Sequence, residues 1–310
     1  VSRTTASAEL IADRGEAAVG DDFFRSRSFL DAEGVTHTLR IEAGGELLAP
    51  LIVRPVPGAD GLDATSPYGY PGFSASPGVR VDPEAVDFAP TGLVAAFVRH
   101  TLGEPPLAGA RERNVVQIAD PELAPKSRMS DRQQIRKNER RGYELRLVPG
   151  PETSPEQRAG FLAAYEQTMR RAGAAKRYLF GAEYFDRVLG SDRTWLALAL
   201  APGGEVAAAS LATRSDGFLH YYLSGTADSH LRDSPMKNVV AALVELSAEQ
   251  GLPLNLGGGI SRGDRLEEFK RGFANREQPW RASEIVCDPD AYARLSAGRE
   301  DAGFFPAYRA

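Results

Sequence analysis

The stretch from Lys126 to Arg146 holds the densest cluster of potentially reactive or ligand-binding charge in the chain. Arg132, Arg136 and Arg140 fall four residues apart, so a helix there stacks three guanidinium groups on one face. Like charges at that spacing cost about 0.2–0.5 kcal/mol per pair unless an anion neutralises them. Lys126, Arg128, Lys137, Arg141 and Arg146 add to the cluster, and Glu139 offsets only part of it. The pattern suits contact with phosphates, in a nucleic-acid backbone or a pyrophosphate. A solvated linker helix is the plainer alternative. The formal net charge is -5, so the field of the whole protein does not recruit nucleic acid, and any such contact must be local.

Other chemistries are thinly represented. His37, His100, His220 and His230 have no metal-ligand spacing among themselves. Cys287 is the one cysteine, so neither an internal disulfide nor a zinc-thiolate cluster can form. Its apolar setting, SEIVCD, reads as a core thiol. Walker A, GxGxxG and GxSxG strings are absent. No metal and no cofactor are therefore expected. No apolar run approaches the roughly 18 residues that span a bilayer, and VSRTTASAELIADRGEAA lacks a signal-peptide core. A cytoplasmic monomer without membrane insertion is the expectation. Two aromatic strings could line a pocket. DATSPYGYPGF at 63–73 holds Tyr68, Tyr70 and Phe73, and AAKRYLFGAEYF at 174–185 holds Lys176, Arg177 and Tyr178. Each also reads as a packed loop.

The elements that must position these residues are clearest in the second half. TWLALALA (194–201), EVAAASLATRS (205–215) and FLHYYLSG (218–225) read as strands joined by PGG and Asp216-Gly217, which implies an antiparallel meander. Ser234 as N-cap and Pro235 at the first helical position open a helix that carries Val239, Val240, Leu243 and Leu246 and stops at Gly251. LPLNL follows as a strand, then a helix from near Asp264, then SEIVC as a last strand. The first half repeats this plan loosely. Segments 36–44 and 46–56 form a hairpin across Gly44-Gly45, TGLVAAFVRHTLG (91–103) has the apolar spacing of a helix, and NVVQIAD (114–120) reads as the strand after it. Between the halves, Ser130 and Gln133 form a capping-box pair and Gly142 a stop; Ser154, Pro155 and Gln157 open the next helix, which buries Phe161, Leu162, Tyr165 and Met169 and stops near Gly173. The predicted domains are 1–125 and 126–310, with a boundary segment at 121–150.

The run LPLNLGGG (252–259) followed by LEEFKRGFAN (266–275) resembles the C-terminal signature of the Fem family of peptidyl transferases, which are doubled versions of the GNAT acyltransferase fold. The arginine-rich helix ending in Arg-Gly and the SPYGY run are similar to that pattern as well. The resemblance implies an α/β (α+β) protein with two GNAT-like domains in tandem, each a mixed, mainly antiparallel sheet with packed helices. No long heptad pattern occurs, so no coiled-coil arm is expected. It implies an aminoacyl-tRNA donor and a peptide-like amine acceptor, either a peptidoglycan precursor or a peptide natural product. Lys270, beside Phe269, would stabilise the oxyanion formed as the amine attacks the ester. Tyr68, Tyr70, Lys176, Arg177, Tyr178 and Tyr222 would contact substrate, and Arg132, Arg136, Lys137, Arg140 and Arg141 would hold tRNA phosphates. An acyl-CoA-dependent GNAT enzyme and a non-catalytic GNAT-repeat binding module are the alternatives. Acetyl-CoA enzymes of this fold carry R/Q-x-x-G-x-G/A at a helix N-terminus. RRAGAA at 170–175 matches the string at the wrong end of a helix, and RDSPMK at 232–237 has Pro235, without an N–H, where the glycine would stand.

Overall fold

A computed structural model describes residues 6–13, 20, 22–299 and 303–310. The chain divides into two compact units: 1–113 with 279–310, and 114–278.

Unit 1 holds β1 (Ala6–Ile11), α1 (Arg27–Ala32), β2 (His37–Glu42), β3 (Glu46–Pro55), β4 (Leu62–Thr65), β5 (Ser74–Ala75), β6 (Val86–Asp87) and β7 (Leu93–Arg99). The β2–β3 hairpin turns at Gly44, whose φ of +71° suits glycine. β1 pairs antiparallel with β2, β3 with β4, and β4 runs parallel to β7. Leu39, Ile41, Leu47, Leu51, Leu93 and Val98 fill the core.

Unit 2 is built on β8 (Arg111–Ala119), α2 (Met129–Arg140), β9 (Glu144–Pro149), α3 (Pro155–Arg171), α4 (Ala182–Leu189), β10 (Thr194–Leu200), β11 (Val206–Ser215), β12 (Phe218–Thr226), α5 (Met236–Gln250), β13 (Leu254–Gly257) and α6 (Arg265–Arg271). The predicted meander forms β10, β11 and β12. β13 pairs parallel with β12 on one side and antiparallel with β8 on the other. α3 opens with the expected capping box, Ser154 with Gln157. It lies so close to β12 that a Cβ on Gly225 would stand 2.4 Å from the backbone of Ala164. On the α5 side, Val239, Val240, Leu243 and Leu246 join the alanines of β10 and β11 in one core. The last elements are β14 (Arg276–Val286) and α7 (Pro289–Ser296). Each unit is a mixed, mainly antiparallel sheet with packed helices, and no coiled-coil arm occurs among the described residues.

Four sequence expectations need correction. Residues 93–99 form strand β7 rather than a helix, because LVAAFVR is almost wholly buried between β4 and β14. A short apolar run of that kind fits a central strand or a buried helix equally, and periodicity cannot separate them. α2 starts at Met129 with Arg128 as N-cap, so Ser130 lies inside the first turn and caps nothing. The buried Asp131 is held there by Lys237 Nζ at 2.8 Å, a tertiary pairing that overrides the local cap signal. α5 starts one residue late. Ser234 takes a left-handed conformation (φ 47°) that ends a 3₁₀ turn, and Pro235 is the N-cap. The compact units also do not divide sequentially at 125/126. Ala282 to Val286 of β14 pair with Arg99 to Ala95 of β7, which draws residues 279–310 into unit 1, and 114–125 belong to unit 2.

Candidate active site

In unit 2 the sheet opens. Leu219 pairs with Leu254 and His220 with Asn255, and among the described residues no further rung joins β12 to β13, although both strands continue. β13 stays on β8 through Gly257 and Gln117. β12 stays on β11 with a bulge: Ala212 pairs with Tyr221 and Leu211 with Leu223, so the register passes over Tyr222. Residues three apart on a regular strand face opposite ways. The extra residue brings Tyr221 and Ser224 to one side, where their hydroxyls meet at 2.6 Å. Tyr221 packs with Phe269 against the α5-side core, while the Tyr222 hydroxyl meets that of Tyr184 on α4 at 3.0 Å. Burial pushes the Tyr221 phenol up to about 12, so it is neutral at ordinary pH.

Lys270 lies beside Tyr221, with Nζ 6.0 Å from its ring centroid. It is 8% exposed and donates to the Gly258 carbonyl at 2.6 Å. Burial pulls its ammonium down to about 8 against the opposing attraction of Asp264. The loop under it is tightly held. Asp264 caps α6 by accepting from Glu267 N (2.8 Å) and folds the loop back by accepting from Ile260 N (2.7 Å) and Ser261 N (3.0 Å). Buried Glu267 accepts from Gly263 N at 2.8 Å and pairs with Arg271. Asn114 donates to the Gly259 carbonyl at 3.0 Å. Gly257 is required by its backbone conformation and Gly258 by space. A Cβ on Gly257, already at φ +74°, would stand 3.1 Å from Lys270 Nζ, and one on Gly258 would stand 2.6 Å from Asn114 Nδ2.

His220 supports this loop from below. Its Nε2 donates to the Ser215 carbonyl at 3.2 Å, its Nδ1 accepts from Asn255 Nδ2 at 3.0 Å, and Asn255 Oδ1 accepts from Gly257 N at 2.8 Å. The arrangement places a buried cation with a single carbonyl partner, among the described residues, next to parted strands. A cation so placed can stabilise negative charge that develops beside it, because burial weakens solvent screening.

The acetyltransferase (GNAT) domain family matches residues 125–271, which include this site. Among solved structures, FemX superposes with a TM-score of 0.59 at 11% identity, covering 87% of this chain and 93% of that one. The C-terminal domain of a putative lysylphosphatidylglycerol synthetase from Agrobacterium fabrum gives 0.58 at 15% identity, covering 90% and 92%. L-PGS from Bacillus licheniformis gives 0.54 at 13%, covering 78% and 81%. The chain has a Fem-like GNAT fold. No curated protein matches the sequence.

Within this GNAT fold the loop before α5 offers little to a pyrophosphate. The N–H groups of Lys237 and Asn238 donate to the Ser234 and Pro235 carbonyls at 3.1 and 3.0 Å, and Pro235 has none to give. RRAGAA occupies the C-terminal end of α3, with Gly173 at φ +59° as its stop. Helix α2 docks by its amide face. Asn138 donates to the Asp233 carbonyl and to Asn238 Oδ1, both at 2.8 Å, and Gln134 donates to the same Asp233 carbonyl at 2.9 Å. Away from that contact Arg132, Arg136, Lys137 and Arg140 are exposed, with Glu139 exposed among them. Arg141 pairs with Asp233, and Arg132 donates to the Ser127 carbonyl.

The remaining predicted residues fall in separate groups. Lys176, Arg177 and Tyr178 form a 3₁₀ turn with the Arg177 guanidinium 5.0 Å from the Tyr178 ring centroid. Tyr68 and Tyr70 belong to unit 1. Tyr70 sits edge-on to Phe24 and Trp280, and the Tyr68 N–H donates to Glu33 at 2.8 Å. Sequence reasoning missed Tyr221, Ser224, Asn255 and Asn114. HYY at 220–222 put tyrosines on the strand, but only the bulge decides which of them meets Lys270. Among the described residues no group of three or more His, Cys, Asp or Glu could hold a metal ion.

Proposed function

We propose that this GNAT-fold chain moves an aminoacyl group from aminoacyl-tRNA to an amine of a peptide-like acceptor, forming an amide. The observation that carries the reading is Lys270, a buried ammonium held on the Gly258 carbonyl beside the parted ends of β12 and β13. The acceptor amine attacks the ester carbonyl, and the ammonium faces the oxyanion of the tetrahedral intermediate. A C–N bond forms, the C–O bond to the tRNA ribose breaks, and the proton lost by the amine ends on the departing hydroxyl. The ester is already activated, so no nucleotide triphosphate is consumed. Apart from Lys270 the protein contributes mainly positioning.

Three further observations support this donor. The segment 252–275 resembles the Fem signature. The lysylphosphatidylglycerol synthetases that share the fold are named for a product bearing an aminoacyl group. The exposed basic face of α2 provides for a polyanion, whereas at the entry to α5 Pro235 has no N–H and those of Lys237 and Asn238 are already bonded within the turn. Arg132, Arg136, Lys137, Arg140 and Arg141 are assigned to tRNA phosphates, and Tyr68, Tyr70, Lys176, Arg177, Tyr178 and Tyr222 to substrate. No described helix is long and apolar enough to cross a membrane. We assign the activity to a cytoplasmic monomer. The test offers purified protein charged tRNA or acyl-CoA with an amine acceptor and follows the amide by mass spectrometry. Amide from charged tRNA is expected. Amide from acyl-CoA alone sinks the reading in favour of an ordinary N-acyltransferase, and turnover of neither donor favours a binding module.

A further inference from the structure

Two large aliphatic side chains next to Lys270 stand in solvent, Leu266 at 39% exposure and Ile260 at 84%. Leu266 lies one turn before Lys270 on α6, so the two share a face of the helix. Side chains on a helix lean toward its N-terminus, so Lys270 reaches back over the turn that carries Leu266. Its bond to the Gly258 carbonyl follows that direction, since Gly258 precedes the helix. Ile260 comes two residues after Gly258. Helix spacing on one side and chain connection on the other therefore keep both side chains within a residue's reach of the ammonium.

Their exposure is built into the loop. Asp264 Oδ2 accepts from Ile260 N and Ser261 N, while its Oδ1 accepts from Glu267 N at 2.8 Å. One carboxylate thus clamps the loop tip to the first turn of α6, which carries Leu266, and the Ile260 side chain stays outside. Isolated aliphatic side chains are ordinary on a protein surface. Two of them on one clamped segment, beside a buried cation, form an apolar edge that a ligand can cover. Arg262 and Arg265 are exposed on the same segment, and neither joins an ion pair among the described residues. An apolar edge flanked by two free guanidinium groups suits a ligand that carries an apolar group and an anion a few bonds apart. An aminoacyl ester of a nucleotide has that layout. Its side chain branches from the atom next to the reacting carbonyl, and its phosphate lies across the ribose.

We infer that Ile260 and Leu266 receive an apolar side chain on the aminoacyl group to be transferred, and that Arg262 and Arg265 hold the phosphate of the nucleotide that carries it. The ligand's role as donor rests on the acyl-transfer reading above, whereas its binding does not. The experiment therefore omits any acceptor and uses mimics that cannot react: adenosine monophosphate whose ribose bears a leucyl, seryl, lysyl or aspartyl group through an amide. Each is titrated into the purified full chain by calorimetry. The leucyl mimic should bind about tenfold or more tighter than the other three, the order expected when a large apolar side chain leaves water. Ile260→Ser and Leu266→Ser should each bring the leucyl mimic down toward the seryl one and leave the seryl affinity unchanged. Arg262→Ala with Arg265→Ala should weaken all four mimics alike and keep their order. All four positions are exposed, and Ile260→Ser, at the most exposed of them, decides if another variant does not fold. Absence of binding, equal binding of the four mimics, or a leucyl preference that survives Ile260→Ser overturns the assignment. Transfer from charged tRNA is assayed separately. Its failure with the preference intact removes only the transfer reading, and its success without the preference removes only the role given to Ile260 and Leu266.

Discussion

Lys270 Nζ stands 2.6 Å from the carbonyl oxygen of Gly258, in the loop that begins where β13 ends. The ammonium has three N–H groups and this is its one hydrogen bond among the described residues, so donors remain for a bound substrate oxygen. Lys270→Met should therefore lower kcat for amide formation by about 10²-fold or more, as when one oxyanion donor is lost. Circular dichroism should show the fold unchanged. Turnover close to that of the unmodified protein would return Lys270 to a purely structural role.

The same side chain sets a pH dependence. Its folded-state value is lowered from 10.5 to about 8, so the required cation disappears as pH rises through about 8, and the rate should fall there. Stability moves the other way. Between about 8 and 10.5 the unfolded chain binds the proton that the folded chain has lost, so stability rises with pH across that window. The cost of the buried charge, present in full below pH 8, is about 3 kcal/mol before the gain from its hydrogen bond. Urea titrations of wild type and Lys270→Met at pH 7 and 10 should show the wild type gaining on the variant at the higher pH. A constant difference between the two proteins would contradict the burial of a charged lysine.

The basic face of α2 is open to a direct test. Arg136→Glu with Lys137→Glu should raise KM for aminoacyl-tRNA while leaving the acceptor KM nearly unchanged. KM of the unmodified protein should climb steeply with salt, because each phosphate contact releases counterions. A flat salt response, together with an unaffected double variant, would remove tRNA from α2.

Gly258→Ala probes the loop without touching Lys270. The added methyl would stand 2.6 Å from Asn114 Nδ2 and 2.7 Å from the Val115 carbonyl, so either the loop or β8 must shift. Overpacking of this kind costs about 1–3 kcal/mol. A thermal melt should show the loss, and kcat should fall with little change in KM for tRNA. Full activity with an unchanged melt would mean that the glycine loop does not set the lysine's position.

Where local chemistry is strong, the sequence is a reliable guide. PGG and Asp216-Gly217 mark the meander, Ser154 with Gln157 marks α3, and Asp264 marks α6. The failures share a cause, which is that the deciding contact is distant in sequence. Leu93–Arg99 is a strand because β4 and β14 flank it, and Ser130 loses its cap because Asp131 answers to Lys237. The bulge at Tyr222 leaves no mark in HYYLSG, so the sequence does not single out Tyr221. Lys270 is legible because its surroundings are local: Gly257, Gly258 and Gly259 lead through a short loop into the helix that Asp264 caps, and Lys270 lies six residues beyond that cap.

The return of β14 to β7 has a consequence for biosynthesis. Unit 2 is one uninterrupted stretch, 114–278, and every residue it needs is made before β14 is complete. Unit 1 waits for its closing strand: while a ribosome works through those intervening residues, the edge of β7 from Ala95 to Arg99 has no partner from β14. An unpaired apolar strand edge is a template for the wrong neighbour. Unit 2 is thus an insertion in the chain of unit 1, and slowing translation before residue 286 should lower soluble yield more than slowing it after.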